Sequence, residues 1–161
     1  MNLYNNSILS LIRQKPQAVA HVRGSVDFPD INGTVYFYQR KAGVVVIAQV
    51  YGLPEKAGDC NSPIFAFHIH EGGSCSGNET DPFADSKTHY NPGGCLHPHH
   101  AGDMPPLFGC SGFAFSAFFT DRFSVGEIIG RTVIIHSNPD DFTTQPSGNA
   151  GTKIACGVIR G

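Results

Sequence analysis

What this chain lacks narrows its function before anything else does. Only 15% of its 161 residues are charged, its 11 Lys and Arg form no basic block, and the formal net charge is −2. Nucleic acid and anionic membrane surfaces are therefore not expected as partners. No apolar run approaches the roughly 20 residues that a membrane-spanning helix needs. The 5 cysteines show no C-x-x-C spacing, which argues against a zinc ribbon or a thioredoxin-type redox site. Their odd number leaves at least one thiol unpaired within the chain. Long helical periods are also missing, and 19 glycines with 11 prolines favour many turns instead.

What is present reads as short strands. Residues 18–28, 33–40, 43–51 and 64–71 alternate or cluster β-forming side chains between Gly/Pro turns, as do 112–120, 131–136 and 153–159. Residues 125–130 fit one more short strand or a turn. About eight strands, no internal repeat and two long loops (72–111 and 137–152) predict an all-β antiparallel Greek-key sandwich or flattened barrel. A structureless segment as long as 72–111 is uncommon in a compact domain unless it has a function. At the N-terminus, Ala18-Val19-Ala20 resembles a signal-peptidase site, but Arg13 and Lys15 interrupt the apolar stretch where it should continue. The expectation is an extension at 1–17, a single domain at 18–161 and a cytoplasmic location.

Six of the eight histidines lie between Phe67 and Asp103. His68 and His70, one residue apart on a strand, point to the same face. His89, His97, His99 and His100 follow in a Gly/Pro/Asn-rich segment ending at Asp103. Neutral imidazole is the commonest side-chain metal ligand, and so dense a cluster beside a carboxylate suggests more than one ion. His21, remote from the cluster, reads as a surface histidine, and Asp141 as a turn residue.

The pieces FHIHEGG (67–73), HYNP (89–92), HAGDMP (100–105), GRTVIIHSNPDD (130–141) and GNAGTKIACGVI (148–159) occur in one order with compatible spacing. In that order they resemble the copper/zinc superoxide dismutases from about residue 18 onward. The resemblance implies dismutation of superoxide to oxygen and hydrogen peroxide. It implies His68, His70, His89 and His136 as copper ligands and His89, His97, His100 and Asp103 as zinc ligands, with His89 shared. Asp140 would orient one ligand of each metal, and Cys75 would pair with Cys156. His99 fits no ligand position. Cys95 and Cys110 either pair with each other or stay free, and Cys60 is left over. The family also admits a homodimer and a copper donor protein as partners.

The chain departs from the family pattern at Lys153, where an anion-guiding arginine is usual. Lysine keeps the charge and loses the planar fork, so activity is expected to persist at a reduced rate. The loops between His97 and His100 and between His136 and Cys156 are shorter than in the best-known members. Two other readings compete with the enzyme. One is a non-catalytic zinc- or copper-binding protein on the same scaffold, against which all four copper-type histidines stand. The other is zinc hydrolysis, which lacks an open coordination position and a spare base.

Overall fold

The computed structural model describes residues 14–55 and 63–161. Eight strands run in chain order: β1 Ala18–Gly24, β2 Asn32–Arg40, β3 Gly43–Tyr51, β4 Ile64–His70, β5 Asp103–Phe108, β6 Phe113–Thr120, β7 Thr132–His136 and β8 Lys153–Arg160. They pair antiparallel in the order β5-β4-β7-β8-β1-β2-β3-β6, and β5 and β6 approach each other across the remaining seam. The result is the nearly closed all-β barrel that the sequence predicts.

The membership of the eight differs from the expectation. Residues 125–130 are not a strand: they hold a short helix, α1 (Val125–Ile128), whose start is fixed by Glu127 accepting from the Ser124 N–H and Oγ. The eighth strand is β5, inside the segment expected to be loop. Its sequence, DMPPLF, carries two prolines that cannot donate to a ladder. They are tolerated because β5 is an end strand with a single ladder partner, β4, whose pairing slips between Phe65 and Phe67.

Period-two patterning builds the interior. On β3, Val44, Val46, Ala48 and Val50 are all fully buried, and Val35 and Phe37 meet them from β2. On β4, Phe65, Phe67 and Ile69 point into this core. β4 and β7 are buried on both faces, although a barrel strand normally shows one face to solvent. Their second face carries His68, His70, Ile134 and His136, and the two long loops cover it. A small apolar cluster of Phe83, Ile134 and Cys156, with Cys75 packed on it, holds the first loop down. There Cys75 bonds Cys156 across 81 positions of sequence. Closing a loop of that size stabilises the fold by about 4 kcal/mol in the chain-entropy picture.

Candidate metal centre

His68 and His70 come from β4 and His136 from the end of β7, all on the loop-covered face of the sheet. A single bridge from His70 to His89 brings the first loop alongside β4, and Tyr90 and Gly102 continue the contact through Ile69. Arg131 stacks over the Tyr90 ring at 3.9 Å and donates to the Glu71 carbonyl, fixing the residue next to His89. The consequence is a continuous block of imidazoles, every one buried.

The block resolves into two groups that share one member. His68, His70, His89 and His136 each present a nitrogen within 4.8 Å of the others, and so do His89, His97, His100 and Asp103 with a nitrogen or an oxygen. In His68, His70, His97 and His136 the nitrogen pointing the other way is already committed. Asp140 accepts from His68 Nε2 at 2.8 Å through one oxygen, and from His97 Nε2 at 2.9 Å and the Phe142 N–H at 2.7 Å through the other. An ionised carboxylate only accepts, so both rings carry their proton on Nε2 and keep a lone pair on Nδ1. His70 Nδ1 donates to the Lys87 carbonyl at 2.8 Å, and His136 Nδ1 donates to that of Gly151 at 3.4 Å. Their Nε2 lone pairs then face each other 3.3 Å apart. Two acceptors at that distance repel unless a cation lies between them.

Other atoms test the fit of two ions. His68 Nδ1, His89 Nε2 and His97 Nδ1 are buried without a hydrogen-bond partner, a costly arrangement that a metal relieves. His97 Nδ1 does lie 3.1 Å from Asp103 Oδ2, but not in hydrogen-bond geometry. In the second group Asp103 Oδ1 is 2.8 Å from His89 Nδ1, while Oδ2 accepts from the His100 N–H at 3.0 Å. Protonation does not compete strongly with a metal here. Burial holds His70 and His136 well below the usual imidazole range, helped by neighbouring histidines, and lowers His68 and His100 as well. Burial pushes Asp140 upward, yet its bonds from His68, Phe142 and His97 outweigh that and hold it below the usual carboxylate range. Asp103 is lowered too, its burial outweighed mainly by His89. Three nitrogens with one carboxylate suit zinc, and four nitrogens suit copper.

Several sequence expectations find a definite place. His99 is exposed and His100 buried; His21 is exposed on β1. Asp141 is exposed, lowered to about 2 by hydrogen bonds from Thr144 and Thr143, and caps its own turn. The suggested pair Cys95 and Cys110 is corrected: both are exposed free thiols, Cys110 at the β5–β6 hairpin and Cys95 in a turn with Asn91. Cys60 lies outside the described residues. Lys153 faces His136 across the β7–β8 ladder and lines a cavity of about 620 Å³ over His70, His89 and His136. Its ammonium is bound by Asp81 Oδ2 at 2.8 Å and the Phe83 carbonyl at 3.1 Å. Sequence reasoning missed Asp81, because nothing local links it to a lysine 72 positions away.

The family model for copper/zinc superoxide dismutase matches residues 31–159. The chain belongs to the copper/zinc superoxide dismutase family. Copper-zinc superoxide dismutase 2 of Aquifex aeolicus is 35% identical over 146 residues, covering 81% of this chain and 80% of its own length. The copper-zinc superoxide dismutase of Photobacterium leiognathi is 32% identical over 142 residues, covering 80% and 78%. That of Deinococcus radiodurans is 32% identical over 148 residues, covering 81% and 78%.

Gly148 shows how tightly the family's two-loop arrangement is closed here. It sits at φ +67°, and a Cβ there would collide with Asp140 Oδ1 and fall 2.7 Å from His97 Nε2. Gly148→Ala should displace the Asp140 carboxylate and cost about 1–3 kcal/mol of stability. It should also weaken metal binding about tenfold or more. Urea unfolding of the metal-free protein and chelator competition check this; unchanged affinities would contradict it.

Proposed function

We propose that this protein dismutes superoxide: two superoxide anions and two protons give one molecule of oxygen and one of hydrogen peroxide. The observation that carries the reading is the sharing of His89 between two complete four-ligand groups, with the outward nitrogens of His68, His70, His97 and His136 already hydrogen-bonded. His68, His70, His89 and His136 would hold copper; His89, His97, His100 and Asp103 would hold zinc. Copper bound there supplies the one-electron redox chemistry, and zinc a fixed charge on the shared imidazole.

The chain's own groups supply the rest. His89 Nε2, buried and without a hydrogen-bond partner, is the atom at which a proton can be taken up and delivered to the reduced substrate. Asp140 keeps His68 and His97 in the tautomers that ligation needs. Lys153 stands at the cavity as the cation for the arriving anion, held there by Asp81 and the Phe83 carbonyl. That pairing adds a second reason to expect a reduced rate beside the loss of the arginine fork: a carboxylate beside the ammonium cancels much of its field. Asp27 and Glu79 line the same cavity and offset Lys87.

The catalytic domain in this reading is residues 18–161, with 1–17 as an extension. A homodimer and delivery of copper by a donor protein belong to the same proposal, on family resemblance. A cytoplasmic location is part of the same proposal.

Metal analysis beside a superoxide-decay assay tests the function. Purified protein should carry or accept about one copper and one zinc per chain, and His136→Ala should abolish the decay while retaining zinc. Zinc without copper, and no activity after copper addition, would contradict the reading. Lys153 makes a second test. Lys153→Arg should raise the rate, and Asp81→Asn should raise it several-fold at low salt, with the gain fading as the Debye length shrinks to about 8 Å. An Asp81→Asn rate at or below that of the parent under low salt would refute the charge argument.

A further inference from the structure

The segment that carries His97, His100 and Asp103 has almost no regular structure up to the start of β5. Its backbone groups therefore need partners from elsewhere in the molecule. Two side chains supply them. Gln145 grips His97 on both sides: its Oε1 accepts from the His97 N–H at 3.0 Å, and its Nε2 donates to the His97 carbonyl at 2.7 Å. Arg122 Nη1 donates to the carbonyls of Pro98 at 3.1 Å, His100 at 3.4 Å and Asp103 at 3.2 Å. Two N–H bonds are thus shared among three carbonyls, all within six residues of one another. Gln145 comes from the loop after β7 and Arg122 from the turn between β6 and α1, and neither is near the ligands in sequence.

We propose that Arg122 and Gln145 are positioning residues for the zinc site. They hold the ligand-bearing backbone in its binding geometry before the ion arrives, and their loss is felt at zinc far more than at copper. The proposal rests on the reading of His89, His97, His100 and Asp103 as the zinc ligands. Charge does not explain Arg122, since a guanidinium beside a cation site is electrostatically unfavourable. Its donors do explain it. The asymmetry between the metals follows from the architecture: His68, His70 and His136 are fixed by strand ladders, whereas His97 and His100 have only the loop. Outer partners of metal ligands typically contribute about 10–100-fold in affinity.

The test compares the full chain with Arg122→Met, Arg122→Lys, Gln145→Leu and His97→Ala. Zinc affinity is measured by chelator competition on metal-free protein and copper affinity in parallel, with thermal unfolding of the metal-free forms to establish folding. Arg122→Met and Gln145→Leu should each weaken zinc about 10–100-fold and copper by less than about threefold. Arg122→Lys should lie between, since an ammonium can still donate to some of the carbonyls. Zinc affinity within about twofold of the parent in folded Arg122→Met or Gln145→Leu overturns the proposal, and so does an equal loss for both metals. If Arg122→Met does not fold, Arg122→Lys and Gln145→Leu decide by the same criteria. His97→Ala separates the two layers. If it leaves zinc affinity unchanged, the ligand reading fails and takes the proposal with it. If it abolishes zinc binding while the Arg122 and Gln145 variants bind normally, only the proposal fails.

Discussion

The bonding of Asp140 is the constraint on which the rest of this site depends. One carboxylate accepts from His68 on a barrel strand, from His97 in a loop and from the backbone of Phe142 in its own loop. Because it can only accept, it dictates where both ring protons sit and so which nitrogens are left for metals. It also ties to its own loop two pieces of chain that lie 43 and 72 positions away. Its held-down proton affinity belongs to the same arrangement: a protonated Asp140 would give up acceptor capacity that both rings use.

Around that carboxylate, sheet and loops divide the work. The barrel gives His68, His70 and His136 ladder positions, and the loops turn the outer face of β4 and β7 into an interior where imidazoles stay neutral. The loops in turn cannot stand on their own composition, being rich in Gly, Pro and Asn. The Cys75–Cys156 bond, the apolar contact under Phe83 and the Tyr90–Arg131 stack take the place of the missing hydrophobic pattern. Gly148 is required for the same reason: the second loop passes so close to Asp140 that a methyl group has no room.

Much of this was legible in the sequence, and the illegible parts share one physical cause. Strands such as β3 show their period-two pattern openly, and the spacing of His68 and His70 puts both on one face. β5 was hidden because its two prolines mask a strand that survives only at a sheet end. Residues 125–130 look like a strand from Val125, Ile128 and Ile129, while the deciding signal was Ser124 followed three residues later by Glu127. Asp81, Arg122 and Gln145 could not be found at all. Their partners are a distant ammonium and backbone carbonyls, which have no residue type to recognise. The free Cys95 and Cys110 teach the converse, since flanking the same ligands in sequence did not bring them together.

The central claim is that hydrogen bonding fixes the tautomers of His68, His70, His97 and His136 before any metal binds. Nitrogen-15 correlation NMR on the histidine rings of the metal-free protein reads those tautomers directly. The account predicts protonated Nε2 and bare Nδ1 at His68 and His97, and the reverse at His70 and His136. Rapidly averaging tautomers at these four rings, or the opposite assignment at His68 and His97, would contradict it.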